Sequence, residues 1–325
     1  MNFNEKTYQR IKKYFDTRGI PMLEAHKEQC YMPSIAEILD NDLGTAPGML
    51  FRVDDKMVLS VPGIPYEMKW IFTNKFLPIL KEKTSSENYI YHKTIKTIGR
   101  GETTIAEQIV DIVDQLPAHT SIAYLPSMGS VRLRLSSRAS YDTSREVDKY
   151  VEQIKERLQD LVYGMDNDTI EATVLELYRQ KKLTLGTAES CTGGLVAHKL
   201  TSVPGSSQVY QGSIVSYSYP LKERLLQVSQ ETLTKEGAVS ESTVIEMLKG
   251  LLATTAVDVG IAISGIAGPG GGTPDKPVGT IWLPWGTKDK IKTKLLHLSK
   301  NRKLNIEFTS VAALNALRLY AIEQC

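Results

Sequence analysis

The sequence predicts an α/β fold: a C-terminal α/β domain preceded by a small α+β domain and a partial α/β domain. Three observations carry this expectation. The chain has 325 residues, enough for two or three domains at roughly 100–200 residues each. Two polar stretches, Lys83-Thr84-Ser85-Ser86-Glu87 and Gly164 to Asp168, divide it. After the second, helical and strand-like patterns alternate to the end, as expected for a buried sheet flanked by helices. The boundaries that follow are 1–85, 86–165 and 166–325.

Taken in order, Tyr8, Ile11, Tyr14 and Phe15 recur at helical spacing, and Gly19 and Pro21 end that run. The apolar runs Met49–Val53 and Met57–Val61 flank Asp54-Asp55-Lys56 and read as a β-hairpin. Pro62-Gly63-Ile64-Pro65 makes a turn before a helix over Tyr66–Lys81. The second segment holds a strand over Tyr89–Ile98 and a helix over Thr104–Val113. Two strands flank Met128-Gly129-Ser130, with Val131, Leu133 and Leu135 alternating against Arg132, Arg134 and Ser136, and an amphipathic helix over Ser144–Leu161 closes the unit.

The third segment reads as helix Ile170–Lys181, strand Leu183–Thr187, helix Thr192–Ser202, strand Ser213–Ser218, helix Leu221–Val228 and helix Ser240–Thr255. Strands Val257–Ser264, Val278–Pro284 and Lys292–Leu298 and helix Asn305–Glu323 complete it.

Composition narrows the function classes. Hydrophobic residues make up 42% and charged residues 23%, ordinary for a soluble globular protein. A net charge of +2 asks for neither nucleic acid nor an acidic membrane surface. No apolar run approaches the ~20 residues that span a bilayer, and the N-terminus lacks the apolar core of a signal peptide. The three cysteines, Cys30, Cys191 and Cys325, are scattered without a C-x-x-C pair. This points to a cytoplasmic protein with neither a disulfide framework nor a zinc site.

Three clusters could carry chemistry. Thr187-Ala188-Glu189-Ser190-Cys191-Thr192-Gly193-Gly194 joins a strand to a helix, where free N–H groups favour an anion; the plainer explanation is a helix cap. Ser264-Gly265-Ile266-Ala267-Gly268-Pro269-Gly270-Gly271-Gly272 follows an apolar strand and would let a ligand approach the backbone; it equally fits a surface loop. Pro204-Gly205-Ser206-Ser207 is followed by Tyr217-Ser218 and Lys222. None of the five histidines falls in these clusters, so a serine there would need another base. A neutral lysine serves if burial lowers its pKa, although most lysines are solvated.

In order and spacing, T-A-E-S-C-T-G-G, P-G-S-S, Y-S-x-x-x-K, G-A-V-S, I-S-G-I-A-G-P-G-G-G and K-P-V-G-T resemble the CinA C-terminal domain. The resemblance implies a nicotinamide-nucleotide amidase, which hydrolyses the carboxamide of nicotinamide mononucleotide to nicotinate mononucleotide and ammonia in pyridine nucleotide salvage. It implies Ser207 as nucleophile, Lys222 as base and Tyr217 between them. Ser190, Thr192, Gly193, Gly194, Ser264, Gly268, Gly270 and Arg302 would bind substrate. No cofactor or metal is needed for that step, and a homodimer is expected.

Gly44–Gly48 and Pro62–Met68 resemble the later part of the CinA N-terminal domain, which is related to molybdopterin-binding proteins. Ile98–Glu102 and Ala123–Ser127 resemble the family's KH-like linker domain. The G-D-E and G-G-L-G-P-T elements of the N-terminal domain have no counterpart, so this domain is expected to be partial and loosely packed. Its family activity, metal-dependent hydrolysis of ADP-ribose-type pyrophosphates, is an alternative that would require a divalent metal. A third reading is a non-catalytic, nucleotide- or partner-binding protein associated with competence or DNA damage. RNA binding is disfavoured, because the G-x-x-G clamp of KH domains has only a weak imitation in Gly99-Arg100-Gly101-Glu102.

Overall fold

The computed structural model describes residues 1–83 and 89–323. The expected Lys83–Glu87 linker therefore lies almost wholly outside the described residues. The chain divides into two compact units, Met1–Glu87 and Asn88–Cys325.

The first unit contains β1 (Asn2–Phe3), α1 (Glu5–Asp16), α2 (Glu24–Glu28), β2 (Tyr31–Met32), β3 (Ala36–Leu39), β4 (Gly48–Val53), β5 (Lys56–Ser60), α3 (Pro65–Ile71) and α4 (Leu77–Lys83). Asn4 caps α1 by accepting the Thr7 N–H. β3, β4 and β5 form an antiparallel sheet with the expected hairpin at Asp54-Asp55. Its core is small, built on Leu39, Leu50, Ile71 and Phe76. A buried Asn41–Glu67 hydrogen bond of 2.6 Å and the Arg10 guanidinium, donating to the carbonyls of Asn41, Gly44 and Thr45, tie the intervening loop to α1 and α3.

The second unit opens with a four-stranded antiparallel sheet. Its elements are β6 (Tyr89–Ile98), α5 (Glu102–Val113), β7 (Thr120–Ser127), β8 (Ser130–Ala139), α6 (Ser144–Leu158) and β9 (Val162–Met165), with strand order β7-β8-β6-β9. The alternation in β8 buries Val131, Leu133 and Leu135 against Ile105, Ile109, Val147 and Ile154 of the two helices. The expected Gly164–Asp168 linker is corrected here. Gly164 lies inside β9, paired with Lys96 of β6, and only the tight turn after it is irregular. The Asp166 carboxylate is held by Lys93 and the Thr94 N–H, and Asp168 accepts from the Met165 N–H. The acidic residues that looked like linker instead cap a strand end.

The rest comprises α7 (Ile170–Gln180), β10 (Leu185–Glu189), α8 (Leu195–Thr201), β11 (Tyr210–Val215), α9 (Tyr219–Leu226), α10 (Gln230–Glu236), α11 (Glu241–Thr255), β12 (Val259–Gly265), β13 (Thr280–Gly286), β14 (Ile291–His297) and α12 (Arg302–Glu323). The sheet order is β11-β10-β12-β13-β14. β10 pairs in parallel with β11 and β12, and β13 and β14 run antiparallel. Central β10 and β12 are buried on both faces, so neither shows the apolar–polar alternation of a half-exposed strand. α7, α8 and α12 cover one face and α9, α10 and α11 the other. The fold is mixed α/β, as the sequence predicts. α10 adds a short helix that the sequence pattern did not signal. No helix among the described residues is long and apolar enough to cross a membrane.

Candidate active site

The parallel strands β10, β11 and β12 end at one edge of the sheet, where open α/β sheets place their ligand crevices. Ser190 follows β10 directly, and its N–H donates to Ile263 of β12. The register Glu189↔Ile263 sets Ser190 level with Ser264, and Glu189↔Val215 sets it level with Ser216.

Lys222, on α9, reaches into this edge. Its side chain has no exposed surface. Its ammonium nitrogen donates to Ser190 Oγ at 2.9 Å and to the Ser216 carbonyl at 2.6 Å. Burial disfavours the charged form, and its pKa falls to about 8. The Ser216 hydroxyl, also buried, has no partner among the described residues.

The turn after Ser190 is shaped by Glu189. Gly193 and Gly194 have positive φ values of 63° and 97°, conformations that favour glycine. The fully buried Glu189 carboxylate accepts the N–H groups of Gly194, Val196 and Ala197 at 2.8–3.2 Å. It thus caps α8 from the preceding strand and satisfies donors that a helix start leaves open. Of the expected anion site on Thr192-Gly193-Gly194, the Gly194 N–H is therefore already committed to a protein carboxylate and the Gly193 N–H to the Ser190 carbonyl. The N–H groups of Cys191 and Thr192 are not consumed by the turn's own bonds, which run from Gly193 to Ser190 and from Leu195 to Thr192. The Thr192 hydroxyl is buried without a partner among the described residues. Burial pushes the Cys191 thiol up to about 12, far from a thiolate nucleophile at neutral pH.

The expected Ser207–Lys222 pair is not formed. Ser207 lies on an exposed single turn, Ser206–Gln208, that precedes β11. Leu185, the first residue of β10, donates to the Val209 carbonyl, and Gln208 accepts from Arg179 of α7. Ser207 therefore sits by the N-terminal ends of the parallel strands, while Ser190 and Lys222 sit at their C-terminal ends. The paired length separates them by roughly 16 Å at about 3.3 Å per residue. Both serines belong to short G/S-rich turns, and only strand register distinguishes them.

The remaining candidates make contacts of their own. Tyr217 is exposed, and its hydroxyl accepts from Arg302 at 3.0 Å rather than bridging a serine and the lysine. Arg302 also donates to the Gly268 carbonyl at 3.0 Å, joining the start of α12 to the glycine-rich loop. Gly268, at φ 91°, leaves no room for a Cβ, which would meet Val278 at 2.5 Å, whereas Gly270 faces open space. Ser264 is buried and donates to the Ala238 carbonyl at 2.6 Å, so its hydroxyl ties β12 to the start of α11. Sequence reasoning missed the Ser190–Lys222 contact and the Glu189 cap. The signal available was the strand–Ser–turn–helix order itself, which resembles the nucleophile turns of α/β hydrolases. Among the described residues, no three His, Cys, Asp or Glu side chains gather closely enough to share a metal ion.

Residues 167–321 match the CinA C-terminal domain, and residues 92–164 match the damage-inducible protein CinA KH domain. A "CinA-like protein" of Cytophaga hutchinsonii is 42% identical over 97% of this chain and 76% of its own length. The chain belongs to the CinA family. A putative competence-damage inducible protein of Caldicellulosiruptor bescii is 38% identical over 98% of this chain and 78% of its own. A crystal structure of a CinA superfamily protein from Klebsiella pneumoniae is 34% identical, covering 47% of this chain and 96% of that one, with a TM-score of 0.46.

Proposed function

We propose that this CinA-family chain is an amidohydrolase that releases ammonia from nicotinamide mononucleotide, with Ser190 as nucleophile and Lys222 as base. The observation that carries the reading is a fully buried lysine whose amine lies 2.9 Å from a serine hydroxyl at the C-terminal edge of a parallel sheet. A lysine with a pKa near 8 holds a useful neutral fraction at physiological pH.

In this mechanism neutral Lys222 takes the proton of Ser190 as Oγ attacks the carboxamide carbon. The developing oxyanion is met by the N–H groups of Cys191 and Thr192 on the turn fixed by Glu189. Lys222 then returns the proton to the departing nitrogen and ammonia leaves. Water attacks the acyl-enzyme, giving its proton to Lys222, and the carboxylate product departs as Ser190 is restored. Every proton in this scheme is carried by Lys222, so no cofactor enters it. Arg302, held between Tyr217 and Gly268, would meet the substrate phosphate.

Lys222→Met tests the reading. Ammonia release from nicotinamide mononucleotide should fall at least about 1000-fold. The melting temperature at pH 7 should be unchanged or higher, because the substitution removes a buried charge. A variant that keeps its activity would overturn the assignment of Lys222.

A further inference from the structure

A cavity lies away from this site, where the β7–β8 hairpin and the loop before α5 approach α12 and the β13–β14 pair. It has a volume of about 560 Å³, within the range of small-molecule pockets. Its wall includes Trp285, Phe308 and Tyr320. Trp285 and Phe308 are only partly buried, and neither packs against another aromatic ring among the described residues. Unstacked ring surface lining a cavity is suited to a planar aromatic ligand.

The charges at the cavity are unevenly committed. Glu323 is paired with Lys292. Glu102 sits in the first turn of α5, where the helix dipole offsets its charge. Arg100 and Lys294 also line the cavity and are exposed, and neither side chain makes a hydrogen bond or ion pair among the described residues. The cavity thus combines aromatic walls with two uncommitted cations.

We infer that this cavity is a second small-molecule site, for a planar aromatic ring bearing an anionic group, the chemical class of a nucleoside monophosphate. The ring would lie against Trp285 and Phe308 and the anion would meet Arg100 and Lys294. The inference does not depend on the amidase reading, because none of the lining residues belongs to the Ser190–Lys222 edge.

Isothermal titration calorimetry on the full chain tests it, with AMP as probe and with adenosine and inorganic phosphate as controls for its two halves. AMP should bind saturably, and each control at least about tenfold more weakly. Ala312→Phe, which fills the cavity, should abolish AMP binding, and the surface pair Arg100→Ala/Lys294→Ala should weaken it at least about tenfold. Lys222→Met should retain it. Loss of AMP binding in Lys222→Met, or full binding in the Arg100/Lys294 pair, would overturn the proposal. AMP binding no tighter than phosphate alone would do the same. Should Ala312→Phe fail to fold, the Arg100/Lys294 pair still decides, since both side chains are exposed.

Discussion

The two ends of the β10–β11 pair carry similar sequence ingredients in opposite surroundings. At the C-terminal end, Ser190 is 7% exposed and bonded to a lysine with no exposed surface. At the N-terminal end, Ser207 stands on an exposed turn whose neighbouring polar groups, Gln208 and Arg179, satisfy each other. The difference teaches that the desolvation of a neighbouring lysine is what sets Ser190 apart from Ser207. A glycine-serine turn alone does not supply that. A lysine in water keeps its proton near neutral pH, whereas Lys222, stripped of water, gives it up around pH 8.

The sharpest way to break this comparison is to exchange the fates of the two serines. Ser190→Ala should lower kcat/KM for amide hydrolysis at least about 1000-fold, while Ser207→Ala leaves it within roughly twofold and changes stability by no more than about 0.5 kcal/mol. The reverse outcome would return the nucleophile to Ser207 and would require β10 and β11 to pair differently.

A smaller effect is expected at Glu189, which acts by positioning the turn. Glu189→Gln keeps the shape but puts an amide donor against N–H donors. It should destabilise the chain by about 1–3 kcal/mol. It should also lower kcat roughly 10- to 100-fold through misplacement of Ser190, with KM little changed. An unchanged kcat alongside a lowered melting temperature would make Glu189 a purely structural cap.

The mildest probe is pH. The rate should rise with pH through a midpoint near 8 as Lys222 loses its proton. Stability should move the same way. The unfolded lysine holds its proton up to about 10.5 and the folded one only to about 8, so the unfolded state binds more protons between these values and stability rises with pH there. A rate profile flat from pH 6 to 9 would contradict a lysine base.

Much of the fold was legible because its elements obey simple periods. The alternation of β8 was readable directly, since one face is buried and the other wet, and β6 over Tyr89–Ile98 was readable from its β-branched and aromatic residues. β9 was not, because Gly164 and the acidic residues after it imitate a linker, and only pairing with β6 reveals their role. The site was half legible. Lys222 and Ser190 were both singled out as candidates, yet nothing local to α9 announces that its lysine is buried. Choosing between Ser190 and Ser207 needed the register of two strands 25 residues apart at Leu185 and Tyr210, a long-range property.

β9 has a further consequence, through α12. The 22-residue α12 is about 33 Å long at 1.5 Å per residue. Near its far end Arg318, 2% exposed, donates to the carbonyls of Asp160 and Val162 at the start of β9 and to Asn315 on its own helix. These backbone carbonyls have their partner in the neighbouring domain, so separating the KH-like sheet from the C-terminal sheet would strand a buried guanidinium. The two domains are thereby expected to melt in one cooperative transition, and a protease would find no hinge at residues 164–168.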